Sequence, residues 1–378
     1  GYFMEIIEKK VELIELFYDL IFVYAISRLT SLINNPINGG ISLNTFFYYI
    51  ISFFVILQAW LYFTNYVNRY GEWKFYDYII ASINMIAVIY MTNTISTQWN
   101  NMVLSFNIAM LVLLLSVVVL YTIQAIKEKS MQGAAGNSIK ILLIICAIYF
   151  LALFCILFNL KNIVIWIHII AWIHVIAVLT GAFLPFFIKG KFDKNIINFP
   201  HLVERFELLT IITFGESVVG ITHFFDINNF EILPILIFLV VLSMFGSYVI
   251  QIHNLVEHHR VERSLRLMFS HYFIVISINL MTVAFELVHN GEVNHLFLSK
   301  LIIISLIIFY ISILSNKEYY PKKIKLTQKN IFTIILIFII GSTTMLLFRD
   351  NLSLLLLGTL FITLGNFGVL WKKFIEIK

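Results

Sequence analysis

Glu12, Glu15 and Asp19 follow one another at spacings of three and four residues in VELIELFYDLIFVYAISRLTSLI, an otherwise apolar run that also holds Arg28. On a helix the three acids share one stripe. A second apolar run, HLVERFELLTIITFGES, carries Glu204, Arg205, Glu207 and Glu216. Placing a charge near the centre of an apolar layer costs from about 2.5 kcal/mol upward, so such residues persist when they are paired, protonated or in contact with water. The two runs hold six acids and only two arginines. That excess cannot stay fully ionised without protons or bound cations. The chemistry implied is proton or cation coupling, carried by Glu15, Asp19, Arg28, Glu204, Arg205 and Glu216. Glu12 and Glu204 also fit an interfacial position in which water reaches them.

Depth along each helix suggests which charges meet. At about 1.5 Å per residue, Asp19 lies roughly 9 Å and Arg28 roughly 22 Å beyond the inner end of the first run. Glu216 lies roughly 18 Å beyond Glu204 along the second. The expected pairs are Arg28 with Glu216, and Arg205 with Asp19 or Glu15. Gly215 leaves room for a kink or a close helix approach. Asn84, His174, His201, Ser217 and Asn279 are the polar residues expected to line the same interior, with the two asparagines bonding between helices. His168 and His174, six apart in WIHIIAWIHV, cannot chelate one ion from a regular helix and read as hydrogen-bonding residues. In HNLVEHHRVER, His253, Glu257 and His258 are metal-ligand types able to share a helical face. Solvated charge is nonetheless ordinary in such a connection. No catalytic residue, metal or cofactor is assigned, since P-loop, GxGxxG and HExxH patterns are missing.

The elements that must position these residues are membrane helices. The 378-residue chain is 60% hydrophobic and 12% charged, about half the charge of a soluble domain. Apolar runs recur at about 13–33, 43–67, 76–97, 101–126, 139–160, 162–188, 203–224, 231–253, 267–289, 296–315, 329–348 and 351–371, each long enough to cross a hydrocarbon core. With both ends cytoplasmic, 21 of the 26 lysines and arginines fall in inner connections, as the positive-inside rule requires. The expected fold is an all-α polytopic membrane protein of about twelve transmembrane helices. The first span is too long and too acidic for a cleavable signal peptide. SINMIAVIYM at 82–91 matches SINLMTVAFEL at 277–287, and ELFYDLIFVYAIS weakly matches ERFELLTIITFGES. Six helices separate the copies, so the halves, residues 1–195 and 196–378, are expected to be parallel pseudo-repeats. The net charge of +5 follows from cytoplasmic loops and does not indicate nucleic acid. The expected partners are the lipid bilayer and a small solute, proton or cation.

ELFYDLIFVYAIS, HLVERFELLTIITFGES and the aromatic segment AWLYFTNYVNRY at 59–70 together resemble the bacterial low temperature requirement A (LtrA) family of polytopic membrane proteins. Glu15, Phe17, Asp19 and Phe22 match its first motif. His201, Glu204, Arg205, Gly215, Glu216 and Ser217 match its second. The resemblance covers most of the chain and implies a bacterial cell membrane and a link to growth in the cold, without naming a reaction. Arg28 stands where the pattern has an uncharged polar residue. The charge pattern and the parallel halves favour a proton- or cation-coupled secondary transporter. A membrane-embedded enzyme acting on a lipid or isoprenoid, and a sensor or scaffold, use the same residues differently. A lipid-facing groove leading to Glu204–Glu216 would favour the enzyme.

Overall fold

The computed structural model describes residues 6–96, 99–158, 163–187 and 197–378. Lys161, Lys189, Lys191 and Lys194, which enter the orientation argument, and the expected boundary at 195–196 lie outside the described residues. Among the described residues there are twelve α-helices and no strand. The first six are α1 (Leu13–Arg28), α2 (Leu43–Tyr70), α3 (Phe75–Thr92), α4 (Trp99–Glu128), α5 (Ala134–Leu157) and α6 (Ile163–Phe187). The others are α7 (Phe199–Ile221), α8 (Leu233–Tyr248), α9 (Leu265–Val288), α10 (His295–Leu314), α11 (Gln328–Leu347) and α12 (Leu352–Ile375). Each lies where an apolar run predicts it.

Ten of the helices are long and apolar enough to cross a membrane. The exceptions are α1, with 16 residues, and α7, interrupted by Glu204, Arg205, Glu207 and Glu216. These two carry the charged motifs. The surface confirms the solvent. Ile86 is 55% and Ile335 52% exposed, whereas Asp19, Asn84 and Arg205 are 0% exposed. An isoleucine exterior, with charged residues held inside a mostly apolar interior, departs from the arrangement of a water-soluble protein. The chain is a multi-pass membrane protein.

The described residues gather into two compact units. One comprises Gly1–Leu32, Leu43–Arg205 and Val261–Arg263; the other comprises Ile33–Ser42, Phe206–Arg260 and Ser264–Lys378. In the first, α4 packs against α2, α3 and α5, α6 against α2 and α5, and α1 against α2 and α3. In the second, α9 packs on α10, and α12 lies between α8 and α11. Helix starts follow from side chains that satisfy the first free N–H groups. The Asn294 carboxamide accepts from the Leu296 and Phe297 amides, Thr327 from Asn330, and Asn351 from Leu354. After Tyr248, α8 widens into a π-helix over Val249–Leu255.

Gly341 and Gly358 set the approach of α11 to α12. A Cβ on Gly341 would sit 2.3 Å from Ile362 Cγ1 and 3.0 Å from the Gly358 carbonyl oxygen. Small residues permit such contact in membranes, where dispersion replaces the hydrophobic effect between helices. Gly341→Val should therefore lower the thermal midpoint of the detergent-purified protein, at a cost of about 1–3 kcal/mol. Gly291→Ala, whose Cβ meets nothing within 4 Å, should leave the midpoint in place. Equal midpoints for the two variants would disprove the close approach.

Candidate functional site: a buried carboxylate–guanidinium cluster

Within the first unit, α1, α2 and the start of α7 up to Arg205 each present polar residues one helical turn apart. Glu15 and Asp19 do so on α1, Trp60, Thr64 and Asn68 on α2, and His201 and Arg205 on α7. A spacing of four keeps each set on one face. Arg205 is fully buried and bridges the two acids. Its Nη1 donates to Glu15 Oε1 at 2.9 Å, and its Nη2 donates to Asp19 Oδ1 at 2.9 Å and to Thr64 Oγ1 at 3.3 Å. The Trp60 indole donates to the same Asp19 oxygen at 2.7 Å, and its ring lies 5.5 Å from the guanidinium carbon. The expected pairing of Arg205 with Glu15 or Asp19 is present with both acids at once.

The surrounding amides fix the state of His201. Asn68 Nδ2 donates to the Asn198 carbonyl at 2.8 Å, while Asn68 Oδ1 accepts from the Asn198 amide at 3.1 Å. That orientation leaves Asn68 Nδ2 as the donor to His201 Nδ1 at 2.9 Å. His201 Nδ1 is therefore an acceptor, and its proton sits on Nε2, which donates to Glu15 Oε1 at 2.8 Å. The second Glu15 oxygen accepts the Glu12 amide at 2.6 Å, the helix-start half of a capping box. Glu15 thus receives three donors, as an ionised carboxylate requires.

Asp19 differs. Both of its donors converge on Oδ1; Oδ2 is buried with no hydrogen-bond partner, and so is Arg205 Nε. Two carboxylates around one guanidinium and a neutral imidazole leave one negative charge in excess. Lys9, half-buried just before α1, gives its ammonium to the Val67 carbonyl. Burial pulls that ammonium below the usual lysine range, against the field of Glu15.

The other expected residues lie elsewhere. Arg28 is exposed at the end of α1, outside the cluster, and Glu204 is half-buried. Glu216 is half-buried and belongs to the second unit, whereas Arg28 belongs to the first. Gly215 serves no close helix approach among the described residues, where a Cβ at that position meets nothing within 4 Å. Ser217 accepts from Thr282 at 2.7 Å. Asn84 joins three helices as expected, donating to Tyr18 at 3.4 Å and accepting from Ser116 at 2.7 Å. Asn279 is buried with its Nδ2 unpartnered. His174 Nε2 meets Asn107 Oδ1 at 3.0 Å, and His168 Nδ1 meets the Tyr48 hydroxyl at 3.4 Å, both hydrogen-bonding roles. Trp60, Thr64, Asn68 and Asn198 complete the cluster without having been expected there. The signal for three of them was the four-residue stripe within AWLYFTNYVNRY. An open groove of about 410 Å³ in the first unit, lined by residues such as Ile83, Ile86, Tyr90, Ile108 and Val112, contains no carboxylate.

The profile of a family described as Bacterial low temperature requirement A protein (LtrA) matches residues 10–364 of the chain. That stretch contains all of Glu15, Asp19, Trp60, Thr64, Asn68, His201 and Arg205. Among curated proteins nothing matches.

Arg205 supplies the positive charge that compensates two buried carboxylates. Arg205→Met strands two buried carboxylates and should cost about 3–5 kcal/mol, read as loss of the monodisperse peak on size exclusion. Adding Glu15→Gln and Asp19→Asn to the same chain should restore most of the lost stability, since an uncharged cluster of similar volume carries no desolvation penalty. A triple variant no more stable than Arg205→Met would show that charge is not what Arg205 compensates.

Proposed function

The chain belongs to the bacterial low temperature requirement A (LtrA) family, and from that premise we propose that it is a secondary transporter in which Asp19 carries the coupling proton. The observation that supports this most directly is the asymmetry of the two buried acids. Glu15 is saturated by donors, whereas Asp19 keeps one buried oxygen without a partner. A proton arriving at the cluster binds Asp19 Oδ2 and cancels the excess charge. It also weakens the hold of Arg205 on Asp19 without disturbing Glu15. A charge-dependent clasp between α1, α2 and α7 is the kind of two-state element that alternating access requires. Arg205 has both terminal nitrogens committed to carboxylates, so it stabilises the unprotonated state and is a poor anion receptor. In this reading Glu204 and Glu216 extend the polar path along α7, Arg28 supplies the balancing charge near the outer end of α1, and Asn84, His174, Ser217 and Asn279 line the interior. The twelve helices form parallel six-helix halves with both termini in the cytoplasm. The support is the placement of lysine and arginine and the SIN repeat of the third and ninth helices.

The test is proton movement in proteoliposomes loaded with a pH-sensitive dye. An imposed gradient of sodium, potassium, magnesium or a small carboxylate should drive a proton flux in the wild type. Asp19→Asn should abolish that coupling while the protein remains folded, and Gly291→Ala, at a position with open space around it, should retain it. Wild-type vesicles that move no protons under any of these gradients would refute coupled transport. Loss of stability in Asp19→Asn with undiminished flux would instead assign the cluster to maintenance of the fold.

A further inference from the structure

A second cluster of ionisable residues lies wholly in the second unit and takes no part in the proton reading. Glu207 on α7 faces two histidines from the stretch after α8. Its carboxylate oxygens lie 3.2 and 3.1 Å from His253 Nδ1, and Oε1 lies 3.5 Å from His258 Nε2. One donor atom from each residue falls within 4.8 Å of the others. We propose that Glu207, His253 and His258 form a binding site for a divalent transition-metal ion of the zinc class.

Three features carry the assignment. The first is donor type. Two imidazoles and one carboxylate favour zinc, cobalt, nickel, iron or manganese over magnesium or calcium, which take oxygen donors. The second is spacing. Ligand bonds of about 2.0–2.2 Å around a tetrahedral ion place donor atoms about 3.3–3.6 Å apart, close to the 3.2 and 3.5 Å that separate Glu207 Oε1 from His253 Nδ1 and His258 Nε2. The third is the backbone that delivers the histidines. His253 lies in the π-helix Val249–Leu255, and such widened turns recur at functional positions because they re-aim one side chain. The π-helix is held from the side by Gln251, which donates to the Ile313 carbonyl at 3.1 Å and accepts from the Tyr320 hydroxyl.

The carbonyl of Ile252 lies 2.9 Å from His258 Nε2. When an ion binds, the His253 proton moves from Nδ1 to Nε2 and the His258 proton from Nε2 to Nδ1, so that His253 Nδ1 and His258 Nε2 become ligands, and the Ile252 oxygen is the nearest backbone acceptor. The His253 side chain is 60% exposed, whereas those of Glu207 and His258 are 12% and 21% exposed. The site is thus open on the His253 side and enclosed by protein on the other. Sequence spacing points to a different triad, His253, Glu257 and His258 on one helical face. Beyond Leu255 the chain leaves the helix, Glu257 is exposed and its amide donates to the Tyr319 carbonyl. Glu207, far away in sequence, supplies the carboxylate.

The experiment uses the full chain, purified in detergent and stripped with a chelator. It is titrated with Co²⁺, followed by ligand-field absorption, and with Zn²⁺, followed by elemental analysis. Wild type and Glu257→Ala should bind one ion per chain. Glu207→Gln and His258→Ala should each weaken that binding by at least about tenfold and lose the cobalt bands. His253→Asn, at the exposed position, gives the same reading if Glu207→Gln does not fold. Absence of a bound ion in the wild type, or wild-type affinity in both Glu207→Gln and His253→Asn, would overturn the assignment and leave a hydrogen-bonded Glu–His pair.

Discussion

One guanidinium shared by two carboxylates constrains the first unit more than any other contact. Arg205 is fully buried, and removing its charge from water costs several kcal/mol before any partner is counted. Glu15 and Asp19 repay that cost only if α1 and α7 are held in one register, since both hydrogen bonds are 2.9 Å long. Trp60 and Thr64 then fix α2 against the same two groups. Asn68 locks the chain before α7 by bonding both ways to Asn198. The cluster is therefore a joint whose geometry is dictated by charge satisfaction, inside helices whose outer faces only need to be greasy.

That division explains why α1 and α7 differ from the other ten helices. A helix whose outer face meets lipid can be built from almost any apolar residues, and α11, with a large share of its surface exposed, is mostly isoleucine, leucine and phenylalanine. A helix that brings ionised groups inside must surrender hydropathy and satisfy every donor and acceptor. Glu15 meets that demand completely. Asp19 Oδ2 and Arg205 Nε do not, and an incompletely satisfied buried network is where protonation can change the energy most.

The Glu207, His253 and His258 group illustrates a different logic. Its exposure is uneven, with the His253 side chain 60% and the Glu207 side chain 12% exposed, so the group sits at an edge of the fold and not in its core. What brings them together is backbone shape, a π-helical turn followed by an irregular connection. Glu207 is only two residues beyond Arg205 on α7, yet about half a turn around the helix axis. One helix thus carries two chemically distinct sets of polar groups, pointing different ways.

Much of the molecule was legible in the sequence. The apolar runs located all twelve helices, because a membrane helix satisfies its own backbone and needs only length and grease. Glu15, Asp19 and Arg205 stood out because charge in such a run demands a partner, and depth arithmetic paired them. Gly215, Glu257 and the partners of His201 were another matter. Whether a Cβ meets a neighbour, whether a connection stays helical past Leu255, and which asparagine faces which histidine depend on the packing of segments far apart in sequence. Periodicity along one helix says which residues share a face but not what that face meets. The sequence alone determined that the chain lives in a membrane and buries charge at α1 and α7. Only the tertiary structure decided that Asp19, rather than Glu15, keeps an unpartnered oxygen, because donor geometry is a property of three helices at once.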